Sequence, residues 1–381
     1  KPDRLDLALI HSDAATVGAA VFTTNSVKAA PVLLSASHLE EAAPRTIIAN
    51  SGNANACTGV QGMKDACEMS KVTAKELGLS ENEILVCSTG IIGNPLPIDR
   101  ITPNVAELVE ALEPNNSDAA AAAIMTSDTR PKSYAVQVKH DDYNFKIGGI
   151  AKGAGMINPQ MATMLCFITT DAAVTKAELI AATRQANEAT FNCISVDGDM
   201  STNDTVIVIA NGEAGNPPIT RGGKGSEEFR EALTQVMMDL ALKIVGDGER
   251  VTKLVEVQVR GAKSQIDAER VARAVANSKL VKCSWNGCDP NWGRIIHAVG
   301  YSGASIKEEM VDIYFDGKAA AKNGLTADTP IKELNAVARK KKFTVGIDLN
   351  LGKGEFTIYT SDLSPEYVDF NREEYALSKR S

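Results

Sequence analysis

The chain is poor in histidine, in aromatic side chains and in surplus positive charge. Four histidines (His11, His38, His140, His297) occur in 381 residues, and none shares a motif with a serine or cysteine. Histidine-assisted nucleophilic catalysis is therefore not legible. Lys and Arg number 40 against 48 Asp and Glu, a net charge of −8 and a pI near 5.3. That balance argues against a nucleic-acid partner, which calls for a basic face; the basic run 339–342 reads as a solvated helix end. No run of about 18 apolar residues exists, so no membrane span is expected. Seven cysteines (57, 67, 87, 166, 193, 283, 288) are scattered and odd in number. They suggest small buried side chains in a reducing cytosol, with no disulfide framework. Cys283 and Cys288 lack the second pair that a zinc site needs. Gly153-Ala154-Gly155 lacks the third glycine of a dinucleotide fingerprint, and no Walker-type loop occurs. Asp197, Asp199 and Asp204 suggest a cation site but miss the EF-hand spacing. No cofactor and no metal are expected. The chain opens at Lys1 without a methionine or a signal-peptide core, which reads as missing first residues.

What is present is apolar substance and clear periodicity. Hydrophobic residues make up 44% of the chain, enough for a large core in about two domains. Thr175 and Glu178 read as a capping box before a helix over 176–188. Ser226 precedes a helical apolar face through Phe229, Leu233, Val236, Met237, Leu240 and Ile244, stopped by Gly246. Further helices are expected over 117–124 and 330–340. Residues 165–169 and 205–210 read as strands buried on both faces. Residues 254–259 read as a strand with partial alternation, and 343–351 with 356–360 read as a hairpin about Gly352-Lys353-Gly354. Helices and buried strands in mixed order predict a layered mixed α/β protein. A domain boundary is placed at 248/249, giving a main body over 1–248 and a smaller C-terminal α/β domain over 249–381.

One segment carries chemistry: Lys152-Gly153-Ala154-Gly155-Met156-Ile157-Asn158-Pro159-Gln160-Met161-Ala162-Thr163-Met164-Leu165. Glycines, a proline and a lysine precede a lone hydroxyl residue, and an apolar strand follows. A chain cut before Thr163 would place a hydroxyl and a free α-amine in one residue. Such an amine ordinarily titrates at about pH 7.7–8.0. It can take the hydroxyl proton near neutral pH, so nucleophile and base need no histidine. The plainer reading is a glycine-rich loop entering a buried strand. Thr89-Gly90 offers a hydroxyl and an approachable N–H for an oxyanion, or a turn after a strand over 84–86. Lys152 is a point charge for a substrate carboxylate, or a solvated loop lysine. Glu249, in Gly246-Asp247-Gly248-Glu249, suits a substrate ammonium, or a surface turn.

The segment resembles the self-cleavage sequence of the ornithine acetyltransferase family, the arginine-biosynthesis glutamate N-acetyltransferases, some of them bifunctional. Other segments agree in order: Asn50-Ser51-Gly52-Asn53-Ala54-Asn55-Ala56, Ser88-Thr89-Gly90-Ile91-Ile92-Gly93, Ile124-Met125-Thr126-Ser127-Asp128-Thr129, 195–205 (Ser-Val-Asp-Gly-Asp-Met-Ser-Thr-Asn-Asp-Thr), 246–249 and 287–294. The resemblance implies a four-layer α-β-β-α sandwich of the N-terminal-nucleophile type, with a smaller C-terminal α/β domain. It implies cleavage between Ala162 and Thr163 into fragments 1–162 and 163–381, assembled as α2β2 in the cytoplasm. Thr163 would be the nucleophile, Thr89 and Gly90 the oxyanion hole, and Thr126, Lys152, Thr163, Glu249 and Asn371 the substrate contacts. Acetyl would pass from N-acetylornithine to glutamate, with acetyl-CoA a possible second donor. The C-terminus departs from the family, which has a hydroxyl residue five positions after the asparagine. Here Ala376 stands there, and Ser378 and Ser381 lie beyond. Trp292 and Arg294 shape either the pocket or only the fold. Two other functions fit the same pattern: an N-terminal-nucleophile amidohydrolase or aminopeptidase, and a non-catalytic binding protein.

Overall fold

The computed structural model describes residues 5–140, 143–158 and 164–378. Ala162 and Thr163 lie outside the described residues, as does Ser381. The chain divides into two compact units, Lys1–Asn192 with Asp199–Ile244, and Cys193–Gly198 with Val245–Ser381.

The strands begin with β1 (Leu7–His11), β2 (Val17–Phe22), β3 (Thr46–Asn53), β4 (Ile84–Ile91), β5 (Lys132–His140), β6 (Tyr143–Lys152), β7 (Leu165–Thr170), β8 (Ile194–Ser195) and β9 (Thr205–Ala210). All of these except β8 belong to the first unit, in sheets of order β1-β3-β4 and β2-β9-β7-β6-β5. The apolar run of β9 is buried at all six residues, as a strand covered on both faces requires. Ala8, Ile47 and Leu85 of the smaller sheet pack on Leu165, Phe167 and Ile207 of the larger. Each such buried large side chain stabilises by about 1.5–3 kcal/mol. On the outer face of the small sheet, Leu34, Ala66 and Met69 from helices Ala30–Glu41 and Gly59–Leu77 cover Ile48, Ile84 and Val86. On the outer face of the large sheet, Phe229 of helix Ser226–Val245 meets Phe145 of β6, ring centroids 5.8 Å apart. Helix Lys176–Ala189 packs on β2 beside it. The first unit is thus a four-layer α-β-β-α sandwich.

The helix expected over 176–188 is present, but its capping box is not. Thr175 makes no side-chain cap bond, and its hydroxyl donates to the Ile219 carbonyl at 3.3 Å. Glu178 is fully buried, its Oε1 accepting from Ser226 Oγ at 2.8 Å and Arg230 Nε at 2.7 Å. A charged partner on the neighbouring helix outcompetes the local backbone bond.

The second unit adds β10 (Leu254–Ala262), β11 (Asp312–Phe315), β12 (Lys318–Lys322), β13 (Leu325–Thr326), β14 (Lys342–Asp348) and β15 (Gly354–Ser361). Its seven-stranded sheet has the order β13-β12-β11-β14-β10-β15-β8. Helix Gln265–Ala276 lays Val271, Ala272 and Val275 among Val255, Val257 and Ile358. The expected hairpin is corrected here. β10 lies between its two strands, parallel to β14 and antiparallel to β15. The loop between them arches over the end of β10, with Leu351 and Gly352 N–H groups donating to the Gly261 carbonyl at 2.7 and 2.9 Å. A Cβ on Gly352 would fall 2.5 Å from the Ala262 carbonyl oxygen, and one on Gly354 only 2.2 Å from that of Ser264. The glycines serve close backbone approach to a third strand, which reads like a turn in sequence.

Candidate active site

The site is built where β4 and β6 of the first unit end. Thr89 and Gly90 lie within β4, which runs to Ile91, so they are strand residues and not a turn. Gly90 has φ +135°, and a Cβ there would lie 2.2 Å from the Gly52 carbonyl carbon of β3. Only glycine lets the two strands close here. Lys152 is the last residue of β6 and is buried, its side chain 3% exposed. It is therefore not the solvated loop lysine. Its Nζ donates to Thr126 Oγ1 at 2.6 Å and to Thr89 Oγ1 at 3.3 Å. Three of the expected site residues thus meet at one ammonium.

Asp128 organises this cluster, and the motif reading assigned it nothing. Its Oδ1 accepts from Lys132 Nζ at 2.6 Å and from the Gly153 N–H at 2.7 Å. Its Oδ2 accepts from the Thr126 N–H at 3.0 Å and lies 4.0 Å from Lys152 Nζ. Burial raises the carboxyl pKa, but the Lys152 and Lys132 charges outweigh it and hold the group at about 2. The signal was present as an i,i+4 Asp–Lys pair whose lysine opens β5, which a strand reading does not bring together.

Asparagines tie the motif segments around the cluster. Asn203 Nδ2 donates to the Ala54 and Ser88 carbonyls at 2.6 and 2.8 Å. Ser88 Oγ donates to Asn50 Oδ1 at 2.5 Å. Asp204, the next residue, is fully buried, and its Oδ1 accepts from the Met164 N–H at 3.1 Å. Burial pushes its carboxyl well above the usual carboxylate range. Upstream of the expected cleavage position, Gly153 has φ +148° and Met156 has φ +53°. A methionine in that region costs about 1–3 kcal/mol.

In the second unit, Asn371 Nδ2 donates to Glu249 Oε2 at 3.0 Å and to the Tyr367 carbonyl at 3.0 Å. Two further expected residues therefore meet there. Trp292 packs against that unit's core, and Arg294 Nη1 donates to the Leu280 carbonyl at 2.8 Å. Both have structural partners. Asp197 belongs to the second unit while Asp199 and Asp204 belong to the first. Among the described residues, no group of three His, Cys, Asp or Glu side chains is placed to hold a metal. All seven cysteines are free, but the expected burial holds only for Cys87, Cys166 and Cys193; Cys57 and Cys283 are exposed and Cys67 and Cys288 half-buried. No helix among the described residues is long and apolar enough to cross a membrane.

The four-layer body, with a buried lysine bonded to two threonine hydroxyls beside a carboxylate at its strand ends, defines a class of layered α/β protein with a buried polar cluster. Comparison with known proteins narrows the class. The ArgJ family profile matches residues 1–376. The arginine biosynthesis bifunctional protein ArgJ of Geobacter sulfurreducens is 53% identical over 372 residues, covering 97% of this chain and 95% of that protein. The glutamate N-acetyltransferase of Methanocaldococcus jannaschii is 44% identical over 385 residues, covering 98% and 94%. The crystal structure of the arginine biosynthesis bifunctional protein argJ from Bacillus halodurans matches with 37% identity and a TM-score of 0.52, covering 54% of this chain and 96% of that one. The chain belongs to the ArgJ family.

Proposed function

We propose that this chain is a glutamate N-acetyltransferase of arginine biosynthesis. It cleaves itself between Ala162 and Thr163 and moves acetyl from N-acetyl-L-ornithine to L-glutamate through an acetyl-Thr163 ester. The observation that carries the reading is near-full-length similarity to a protein named an arginine biosynthesis bifunctional protein, 53% identical, and to one named a glutamate N-acetyltransferase, 44% identical. Cleavage begins with attack of the Thr163 hydroxyl on the Ala162 carbonyl. The amide nitrogen gains a proton as its acyl group moves to oxygen, and water then hydrolyses the ester. In turnover the same oxygen attacks the acetyl carbonyl of N-acetylornithine, ornithine leaves as an amine, and the glutamate amine takes the acetyl from the ester. Amide is exchanged for amide, so the reaction needs no energy-coupling step, and the kinetics are ping-pong.

Each tetrahedral oxyanion needs donors aimed at it. Thr89 and the Gly90 N–H fill that role. Lys152 bonds both Thr89 and Thr126, which suits it to bind a substrate carboxylate beside them. Glu249 and Asn371 receive the ammonium and polar end of the amino acid. Coverage of a nearly complete Bacillus halodurans chain by 54% of this one supports separate fragments, and we assign the assembly as α2β2 in the cytoplasm. The word bifunctional in relatives' names favours acetyl-CoA as a second donor.

Intact-mass analysis of the purified protein tests the reading. The expected result is two fragments, ending at Ala162 and starting at Thr163, and one uncut inactive chain for Thr163→Ala. A single unbroken wild-type chain that still transfers acetyl would overturn it, as would N-acetylornithine hydrolysis that runs equally fast without glutamate.

A further inference from the structure

Asp204 stands immediately before β9, whose partner β7 begins two residues after the proposed nucleophile. The β7–β9 ladder is parallel, pairing Leu165 with Thr205. Met164 extends it by one residue: its carbonyl accepts from the Thr205 N–H at 3.0 Å. In a regular parallel ladder the Met164 N–H would find a backbone carbonyl one step earlier. The Asn203 carbonyl instead accepts from Thr205 Oγ1 at 2.9 Å. The Asp204 carboxyl takes the vacant place, accepting from the Met164 N–H at 3.1 Å. Met164 N is the peptide nitrogen that joins residue 163 to the rest of the chain.

The anchor is rigid at its own end. The Asp204 carbonyl accepts from the Thr23 N–H at 2.9 Å, linking it to the end of β2. The neighbouring Asn203 is pinned to the Ala54 and Ser88 carbonyls. The Asp204 side chain is completely buried, with its Oδ1 turned to the Met164 N–H.

We propose that Asp204 is a positioning residue for Thr163: its carboxyl replaces the missing ladder acceptor and fixes the peptide nitrogen next to the nucleophile, for self-cleavage and for acetyl transfer. This rests on the acetyltransferase reading above. A side-chain acceptor suits that place because the chain on the other side of Thr163 is severed during maturation. The strand end must then stay aligned without help from the preceding residue. Burial favours the neutral carboxyl, and the Met164 N–H and the Lys152 charge work against that, so an amide can replace it as acceptor.

The test compares wild type, Asp204→Ala and Asp204→Asn as full chains. It follows precursor cleavage by intact mass and the kcat and KM of acetyl transfer from N-acetylornithine. Asp204→Ala is expected to slow cleavage and lower kcat by about 100-fold, the effect of a small misplacement of a reacting group, with KM within about twofold of wild type. Asp204→Asn, which keeps the acceptor oxygen, recovers most of the lost rate. A merely structural role would lower stability and amplitude in both variants without separating kcat from KM. The inference falls if Asp204→Ala cleaves and turns over like wild type, or if Asp204→Asn is as slow as Asp204→Ala. If wild type itself neither cleaves nor transfers acetyl, the acetyltransferase reading falls and takes this inference with it.

Discussion

Both units bury lysine, and they treat the charge in opposite ways. In the first, Lys132 and Lys152 have side chains 1% and 3% exposed, and both stand by the Asp128 carboxylate. In the second, Lys282 donates to Thr360 Oγ1 at 2.9 Å, to the Ser361 carbonyl at 2.5 Å and to Ser361 Oγ at 3.4 Å. Its contacts are hydroxyl and carbonyl oxygens, and burial pushes its pKa down to about 7 against the more distant Asp362 and Asp197 charges. A carboxylate in contact keeps a buried charge in place; dipoles alone leave the amine close to neutral. The first arrangement holds an ammonium where an anionic substrate is proposed to bind. The second glues a helix to β15.

The largest expected effect breaks the first arrangement. Asp128→Asn leaves two buried ammoniums without their shared carboxylate, which should cost about 3–5 kcal/mol. Acetyl transfer should fall by about 100-fold in kcat/KM as Lys152 loses its position. Urea unfolding and steady-state kinetics check both, and a variant of wild-type stability would show that the carboxylate is not the anchor. The pH dependence has a definite sign. The folded pKa of about 2 lies below the ordinary carboxylate value, so Asp128 stabilises the fold above about pH 4. That contribution, on the order of 2 kcal/mol, is lost as pH falls towards 2, and Asp128→Asn should lack that part of the acid transition.

A pair of glycine substitutions separates site from scaffold. At both Gly90 and Gly354 an added Cβ would fall 2.2 Å from backbone atoms. Each alanine variant should lose about 1–3 kcal/mol by overpacking. Gly90→Ala should also abolish acetyl transfer, because its strand end carries the proposed oxyanion donor. Gly354→Ala should leave kcat of the folded fraction unchanged. Equal kinetic damage from both would mean that Gly90 matters only for packing.

Lys282 supplies a signature spread over pH rather than a loss of activity. Its folded pKa lies below the unfolded value, so the unfolded chain binds more protons between about pH 7 and 10. Stability from this group therefore rises with pH across that window, by at most about 1.4 kcal/mol per unit, and is flat below it. Lys282→Met removes the titration. The difference between wild-type and variant unfolding energies should grow in wild type's favour from pH 7 to 10. A constant difference would place the charged amine in a better-solvated site than its burial indicates.

Much of the fold is legible in the sequence. Strand 205–210 and the helix that starts at Ser226 follow from unbroken apolar runs and helical spacing, because one core face dictates each. The grouping of Thr89, Thr126 and Lys152 comes through motif resemblance, since 63 residues of sequence separate Lys152 from Thr89 and no local pattern encodes that meeting. Asp128 stands in its motif without a role and Asp204 is read only with Asp197 and Asp199 as a suggested cation site, because burial decides their chemistry and sequence does not display burial of a polar residue. The missed hairpin and the unformed capping box fail for one reason. Gly352, Gly354 and Glu178 have non-local partners, the end of β10 and Arg230, that outcompete the local ones.

The smallest expected effect sharpens the opening contrast most directly. Lys318 Nζ lies 2.5 Å from Glu333 Oε2, with side chains 44% and 48% exposed. Lys132 Nζ lies 2.6 Å from Asp128 Oδ1, with side chains 1% and 0% exposed. The separations match, so any difference in coupling reflects surroundings rather than distance. Water screens the exposed pair and two flexible side chains must be held still, so Lys318→Ala should change stability by less than about 0.5 kcal/mol, and added salt should reduce even that. A double-mutant cycle on Lys318 and Glu333, beside one on Lys132 and Asp128, measures the two couplings on the same protein. The buried coupling should exceed the exposed one several-fold and resist salt. Similar values for the two would mean that burial in the first unit does not strengthen the lysine–carboxylate contact, and the physical basis for a preorganised Lys152 would be lost with it.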